Sequence, residues 1–298
     1  MKVVLIAGGT GMIGRKLTNK LTKNGYQVYK LTRRAKKRGQ IYWDPNIKTI
    51  EGKHLNKVEA IINLAGENIG EMKWSESRKE KLRSSRIEST KFLYSCTKNM
   101  PKLAYYIGAS GINCYGNSSE KLKSEKSSFG KDFLSNLVKE WEESSRLFSE
   151  KVPVSILRIA GVLDKNGGML KKIKTPIKFG MGSPLGNGKQ YLPWVHIDDL
   201  VDLIIFCLDK KLEGTYNAVA SCDKNKDFMK MLSMAMRRPY FMPRIPSWII
   251  KLVFGERSIL MLGSVNASNE KILSRGFDFK FKTLPAAFRN IFRNNSNI

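Results

Sequence analysis

Histidine is almost missing from this 298-residue sequence, which holds only His54 and His196. The four cysteines, Cys96, Cys114, Cys207 and Cys222, are widely spaced, with no CxxC pair and no histidine at zinc spacing. That pattern argues against a metal centre or a disulfide framework, and predicts a reduced, cytoplasmic protein with incidental thiols. No run of about 18 apolar residues occurs, so no membrane span is expected. The apolar opening, Met1 to Ala7, runs straight into Gly8-Gly9-Thr10-Gly11. It reads as a buried strand feeding a loop and not as a secretory leader. Acids are scarce: 26 Asp and Glu face 53 Lys and Arg, for a net charge of +27. Such a balance suits nucleic acid or an anionic surface as partner. Lysine is spread along the whole chain, however, beside frequent Asn and Ile. Compositional drift is therefore the preferred reading, and no nucleic-acid partner is expected.

What is present is a core and an alternating pattern. Apolar residues make up 42% of the chain, enough for one large domain with a smaller annex. Lys2 to Ala7 reads as a strand buried on both faces. Ile13, Leu17 and Leu21 follow at helical spacing, and Gly25 suits a helix end. Further strands are expected at Tyr26–Leu31, Val58–Ala65, Lys102–Ala109 and Val154–Ala160, the last after a helix carrying Leu137, Trp141 and Leu147 on one side. Strands separated by helices over about 160 residues predict a doubly wound parallel α/β sheet. After Val162 the glycine-punctuated texture reads as loop-rich. Helices are expected at Asp198–Leu208, Trp248–Phe254 and Leu284–Phe292. On this reading residues 1–163 form the main domain, which also receives 193–222. Residues 164–192 and 223–298 form a smaller C-terminal substrate or lid annex.

Gly8, Gly11 and Gly14 make the pattern G-x-x-G-x-x-G between the first strand and the first helix. The first glycine permits a tight turn, the second lets backbone approach a pyrophosphate, and the third lets the helix pack on the sheet. The helix N-terminus adds free N–H groups and positive dipole. This is a Rossmann-type nucleotide site. An NAD site usually carries an acid at the end of the second strand. Here no Asp or Glu precedes Asp44, and the second strand ends in Leu31-Thr32-Arg33-Arg34. An arginine there can grip a 2′-phosphate. The cofactor predicted is NADP(H).

Several segments taken together resemble the extended short-chain dehydrogenases/reductases. The match is to an atypical epimerase/dehydratase-like branch sometimes labelled cell-division-inhibitor-like. They are Gly8–Gly14, Asn63–Asn68, Trp74, Ser85-Arg86, Asp132–Leu137, Trp141-Glu142 and Gly167-Gly168. Pro184–Asp199, Arg238-Pro239, Gly255-Glu256 and Gly276-Phe277 complete the set. The resemblance runs through nearly the whole chain, annex included. It implies that Thr10, Gly11, Met12 and Ile13 form the pyrophosphate loop, that Thr32 and Arg33 hold the adenosine phosphate, and that Leu64 and Ala65 line the cofactor. Arg86 matches an arginine near the cofactor, or else is a helix-surface base.

The superfamily's usual chemistry is a Ser, a Tyr and a Lys four residues beyond the Tyr on one helix face. Tyr26/Lys30 lies in a strand, and Tyr94/Lys98 precedes the strand that should carry the serine. On the expected helix the aligned pairs are Phe133/Leu137 or Leu134/Val138, all apolar. Ser110 and Tyr115 remain as catalytic candidates. Ser110 falls one residue early, so Gly111 takes the usual serine's place, and a capping hydroxyl is the competing reading. Asn113, Gln190, Trp194 and His196 are further polar candidates. Asp198 or Asp199 is expected to cap the helix after His196. Two functions stay open: an NADP(H)-dependent oxidoreductase or epimerase on an unknown small molecule, and a non-catalytic NADP-binding regulator of a protein partner. A Rossmann-fold RNA-binding protein is favoured by the charge alone.

Overall fold

A computed structural model describes residues 2–117 and 121–292. The chain opens with β1 (Val3–Ala7), α1 (Met12–Lys23), β2 (Gln27–Thr32), β3 (Gln40–Asp44), β4 (Thr49–Ile50) and β5 (Ala60–Asn63). It continues through α2 (Glu76–Ser84), α3 (Ile87–Ser95), β6 (Tyr105–Gly111), β7 (Leu122–Lys123), α4 (Phe133–Arg146) and β8 (Val154–Ile159). Eight strands form one sheet in the order β11-β8-β6-β5-β1-β2-β3-β4, with β11 (Gly214–Ala218) arriving late from the chain's second half. Every pair in this sheet is parallel except β3 with β4.

β1 is apolar at every position, and its neighbour β5 nearly so, because both sheet faces are covered. Val4 and Ile6 face Leu17 and Leu21 of α1, with Leu200 and Ile204 of α6 (Ile197–Lys210). Leu5 and Ile61 face the opposite layer, against Leu93 of α3 and Phe148. The predicted helix through Leu147 stops at Arg146. Leu147 is only half-buried in a following 3₁₀ turn, and Phe148 takes the core place.

The rest of the described chain adds a smaller second sheet and further helices. β9 (Gly161–Leu163), β10 (Tyr191–His196) and β12 (Ser221–Lys224) form a small sheet. Between β9 and β10 the segment read as loop-rich holds a helix, α5 (Gly168–Lys178). The flanking glycines hid it, but Leu170, Ile173 and Ile177 keep helical spacing and pack inward. α7 (Asn225–Ala235), α8 (Ser247–Phe254), α9 (Ile259–Leu262), β13 (Asn266–Ala267), α10 (Glu270–Leu273) and α11 (Leu284–Phe292) complete the described chain. β13 pairs with β7, which ties this part of the chain back to the main layer. No helix of the described residues is long and apolar enough to cross a membrane.

Candidate functional site

The glycine loop lies at the C-terminal end of β1. Gly8 has φ of +75°, and a Cβ there would meet the Leu64 carbonyl at 2.6 Å. A Cβ on Gly14 would lie 2.4 Å from the Gly8 oxygen and 2.6 Å from Gly9 Cα. Side chains at these positions would thus fill the turn and push α1 off the sheet. Gly11 caps α1 with extended backbone and no side-chain hydrogen bond, and the first turn holds no acid. The leading N–H groups and the positive end of the helix dipole are left for an anion. Thr10 is exposed, and its carbonyl accepts from Arg15 Nη1 at 2.9 Å. Met12 and Ile13 are half-buried, with Met12 against Gly167 and Gly168 at the mouth of α5.

Thr32 closes β2, its Oγ1 accepting the Arg34 N–H at 3.2 Å. Arg33 and Arg34 follow, both exposed. The first acid, Asp44, sits at the end of β3, where it accepts the Asn46 N–H. The donor set therefore fits a dinucleotide with an extra phosphate: open N–H groups at a glycine turn, and two free-standing guanidiniums where a ribose-binding acid would otherwise stand.

β5 delivers the opposite wall. Buried Asn63 donates to Thr90 Oγ1 and Tyr106 Oη at 2.9 and 3.2 Å, while its Oδ1 accepts the Ala65 N–H at 3.1 Å. This pins half-buried Leu64 and Ala65 beside Gly8. Cations bind the carbonyls of the loop beyond. Arg86 Nη2 donates to Glu67 O at 2.9 Å, and Arg78 Nη2 to Asn68 O at 2.7 Å. Lys172 Nζ and Arg257 Nη1 both donate to Gly70 O. Arg86 is no helix-surface base: it is buried, stacked over Trp141 at 5.1 Å, and burial pushes its pKa down to about 10. A cavity of about 340 Å³ lies between Lys73-Trp74-Ser75 and the end of α8.

Ser110 and Tyr115 belong to one buried network. Arg158 of β8 makes a two-pronged pair with Glu142 of α4: Nε donates to Oε1 at 2.7 Å and Nη2 to Oε2 at 3.0 Å. Ser110 Oγ donates to the same Oε1 at 2.7 Å. Tyr115 accepts from Arg158 Nη1 at 3.0 Å and donates to Asn217 Oδ1 at 2.8 Å. Burial raises the Tyr115 pKa to about 12 against the pull of Arg158. Both hydroxyls are already donating to protein acceptors.

The other polar candidates are also engaged. Gln190 Nε2 donates to Leu185 O and Met261 O. Trp194 Nε1 donates to Asp223 at 2.6 Å. His196 Nδ1, not Asp198 or Asp199, caps α6 by accepting the Asp198 N–H. Asp199 instead accepts the N–H groups of Lys280 and Phe281, which draws the chain before α11 onto α6. Asn113 is half-buried. On α4, Leu134, Leu137 and Val138 are buried and Phe133 is half-buried, and a Cβ on Gly111 would touch Val138 Cγ2 at 3.4 Å. Tyr26 and Tyr94, from the two misplaced Y-x-x-x-K matches, bond Asp209 and Glu150 instead. No cluster of metal-ligating side chains occurs among the described residues.

Sequence reading missed Glu142 and Arg158 as partners. The signal was there: an acid on the face of α4 that carries Leu134, Leu137, Val138 and Trp141, and a base inside an apolar strand.

Residues 4–138 match the NAD dependent epimerase/dehydratase family, and residues 245–291 match a domain of unknown function, DUF1731. The chain is 34% identical to the mouse epimerase family protein SDR39U1, over 97% of this chain and 99% of that one. Among solved structures it resembles human SDR39U1 (isoform 2), crystallised with NADPH. That match has a TM-score of 0.90 and 32% identity, covering 98% of this chain and 99% of that chain. It also resembles a nucleoside-diphosphate sugar epimerase from Corynebacterium glutamicum. There the TM-score is 0.81 at 26% identity, over 98% of this chain and 58% of that chain.

Proposed function

The chain belongs to the NAD dependent epimerase/dehydratase family of extended short-chain dehydrogenases/reductases, and from that premise we propose that it binds NADP(H) without running the family's Tyr–Lys proton relay. The observation that carries the cofactor half is the open glycine cradle beside exposed Arg33, with no acid before Asp44. The N–H groups opening α1 hold the pyrophosphate. Thr32 and Arg33 hold the 2′-phosphate. Leu64 and Ala65 wall the cleft, and Arg86 fixes the loop behind them through Glu67 O. The bound cofactor supplies a hydride donor or acceptor. The second half rests on Gly111 and on the apolar pairs Phe133/Leu137 and Leu134/Val138, none of which can donate or accept a proton. Ser110 and Tyr115 then act as supports, their protons committed to Glu142 and Asn217. The human relative's NADPH complex supports the same nucleotide choice.

NADPH is expected to raise the melting temperature more than NADH does, and Arg33→Ala to erase the difference. Equal shifts in the parent protein would overturn the phosphate assignment. Epimerase turnover of UDP-sugars is expected to be undetectable, and robust turnover would overturn the second half. An oxidoreductase using another proton source is the second reading. It is favoured by the cavity of about 340 Å³ at Trp74 and Phe254, a volume in the range of small-molecule sites. Steady NADPH oxidation with a panel of carbonyl compounds would select it.

A further inference from the structure

Three of the chain's acid-free stretches, 165–197, 228–255 and 279–298, lie in its second half; residues 1–43 and 89–119 are acid-free as well. Spread evenly, the 26 acids of the 298 residues would place about seven in the 81 positions of the first three, which instead hold 15 Lys and Arg. What sets these three apart is where their helices meet. They supply α5, all of α7 beyond Asp227 in its first turn, and α11, which share one apolar core through Leu170, Ile177, Phe228, Leu232, Leu284 and Phe288.

Alongside these helices opens a cavity of about 700 Å³. Lys174, Lys178, Arg237, Arg238 and Arg289 line it, with Met234 and Phe292, and no described carboxylate does. Arg237 holds φ of +54° just past α7, where glycine is the least strained choice. The rim is apolar and exposed. Phe179, beside Lys178, is 77% exposed and Phe241 is 75% exposed. Gly180 abuts Pro239, and Ser183 Oγ donates to Pro243 O at 2.5 Å. The 179–183 and 239–243 segments therefore run side by side, bringing Met181 and Met242 to the same edge. Large exposed apolar side chains in a group mark an interaction surface. Cations behind an apolar rim match the headgroup and acyl layers of an acidic membrane surface.

We propose that this face of the annex docks on the surface of a bilayer containing anionic phospholipid. The lysines and arginines meet lipid phosphates while Phe179, Met181, Phe241 and Met242 enter the acyl boundary. Nucleic acid would also meet the cations. Phe179 and Phe241 present stacking faces to a base as well, but Met181 and Met242 beside them offer neither a stacking face nor a hydrogen-bond donor, and the RNA arm of the test separates the two occupants.

The test uses the full chain and vesicles of phosphatidylcholine with or without phosphatidylglycerol. Co-sedimentation is expected only with phosphatidylglycerol present. Removing cations one by one through Lys178→Gln, Arg237→Gln and Arg238→Gln should weaken it about fivefold each. Phe179→Ser with Phe241→Ser should weaken it about tenfold or more at unchanged charge. Ile47→Ser and Lys102→Glu, in the main domain, should leave it unchanged. NADPH-induced thermal shifts should be equal in all variants, which separates lost docking from lost folding and from the cofactor proposal. Three results would overturn the proposal. The first is no vesicle binding at low salt. The second is binding untouched by the two phenylalanine changes. The third is tighter binding to single-stranded RNA that the same cation changes abolish.

Discussion

Glu142 and Arg158 are each almost fully buried and paired with one another, and Arg146 Nη2 also donates to Glu142 Oε2 at 3.2 Å, so Arg158 is the partner left without a countercharge when Glu142 goes. Removing one partner strands a charge in the core, which typically costs about 3–5 kcal/mol, whereas replacing both by apolar groups is far milder. Urea denaturation should therefore show Glu142→Gln strongly destabilised and Glu142→Leu with Arg158→Met much less so. A double variant weaker than the single would refute this account. His196 makes a pH prediction. Burial lowers its pKa to about 4, against the pull of Asp198. The unfolded chain, titrating near 6.5, then takes up the proton first as pH falls. The stability involved is complete above about 6.5 and is lost as pH falls towards 4, at about 1.4 kcal/mol per pH unit. Asn keeps the cap in His196→Asn but not the titration. Between about pH 7 and 5, the parent's urea midpoint should fall faster than the variant's, and parallel curves would contradict the assignment.

At the level of elements, the loop from β1 into α1 depends on hydrogen atoms where other residues carry Cβ. Gly14→Ala places a carbon 2.4 Å from the Gly8 oxygen. Relieving such a clash typically costs about 1–3 kcal/mol, and the shifted helix should no longer answer NADPH with a thermal shift. Gly25 offers the contrast. It has open space but φ of +83°, so Gly25→Ala should lose about 1 kcal/mol and keep the full NADPH response. A Gly14→Ala protein with an undiminished response would remove the cradle from the argument. The same scale explains α4, whose N-cap Asp132 accepts the Ser135 N–H at 3.0 Å. The helix is well formed, and both pairs open to a proton relay on it, Phe133/Leu137 and Leu134/Val138, are apolar.

The whole molecule carries +27 charges on 298 residues. Self-repulsion of that size destabilises a compact state, and salt screens it over about 8–10 Å. The melting temperature is expected to rise with sodium chloride from low to physiological ionic strength. The NADPH increment should shrink over the same range, because Arg33 is exposed and its pairing with a phosphate is screened. Scanning fluorimetry across a salt series checks both, and a melting temperature that falls with added salt would refute the first.

Much of the main domain was legible locally. A strand covered on both faces is apolar throughout, a glycine turn announces itself, and the acid-free first 43 residues are a fact of sequence alone. β1, α1, the parallel alternation and the exposed Arg33 followed from those. α5 was lost because glycines on either side masked its spacing. The cap of α6 was misplaced because His196 and Asp198 are both able acceptors, and only backbone geometry chose between them. What sequence could not settle was pairing over distance. Nothing local says that Tyr115 meets Asn217, 102 residues away, or that three acid-free stretches converge on one cavity. Residue type and spacing set where the missing acids and the missing Tyr–Lys pair lie. Packing in three dimensions decided that the remaining hydroxyls are committed elsewhere, and that the surplus positive charge has a face.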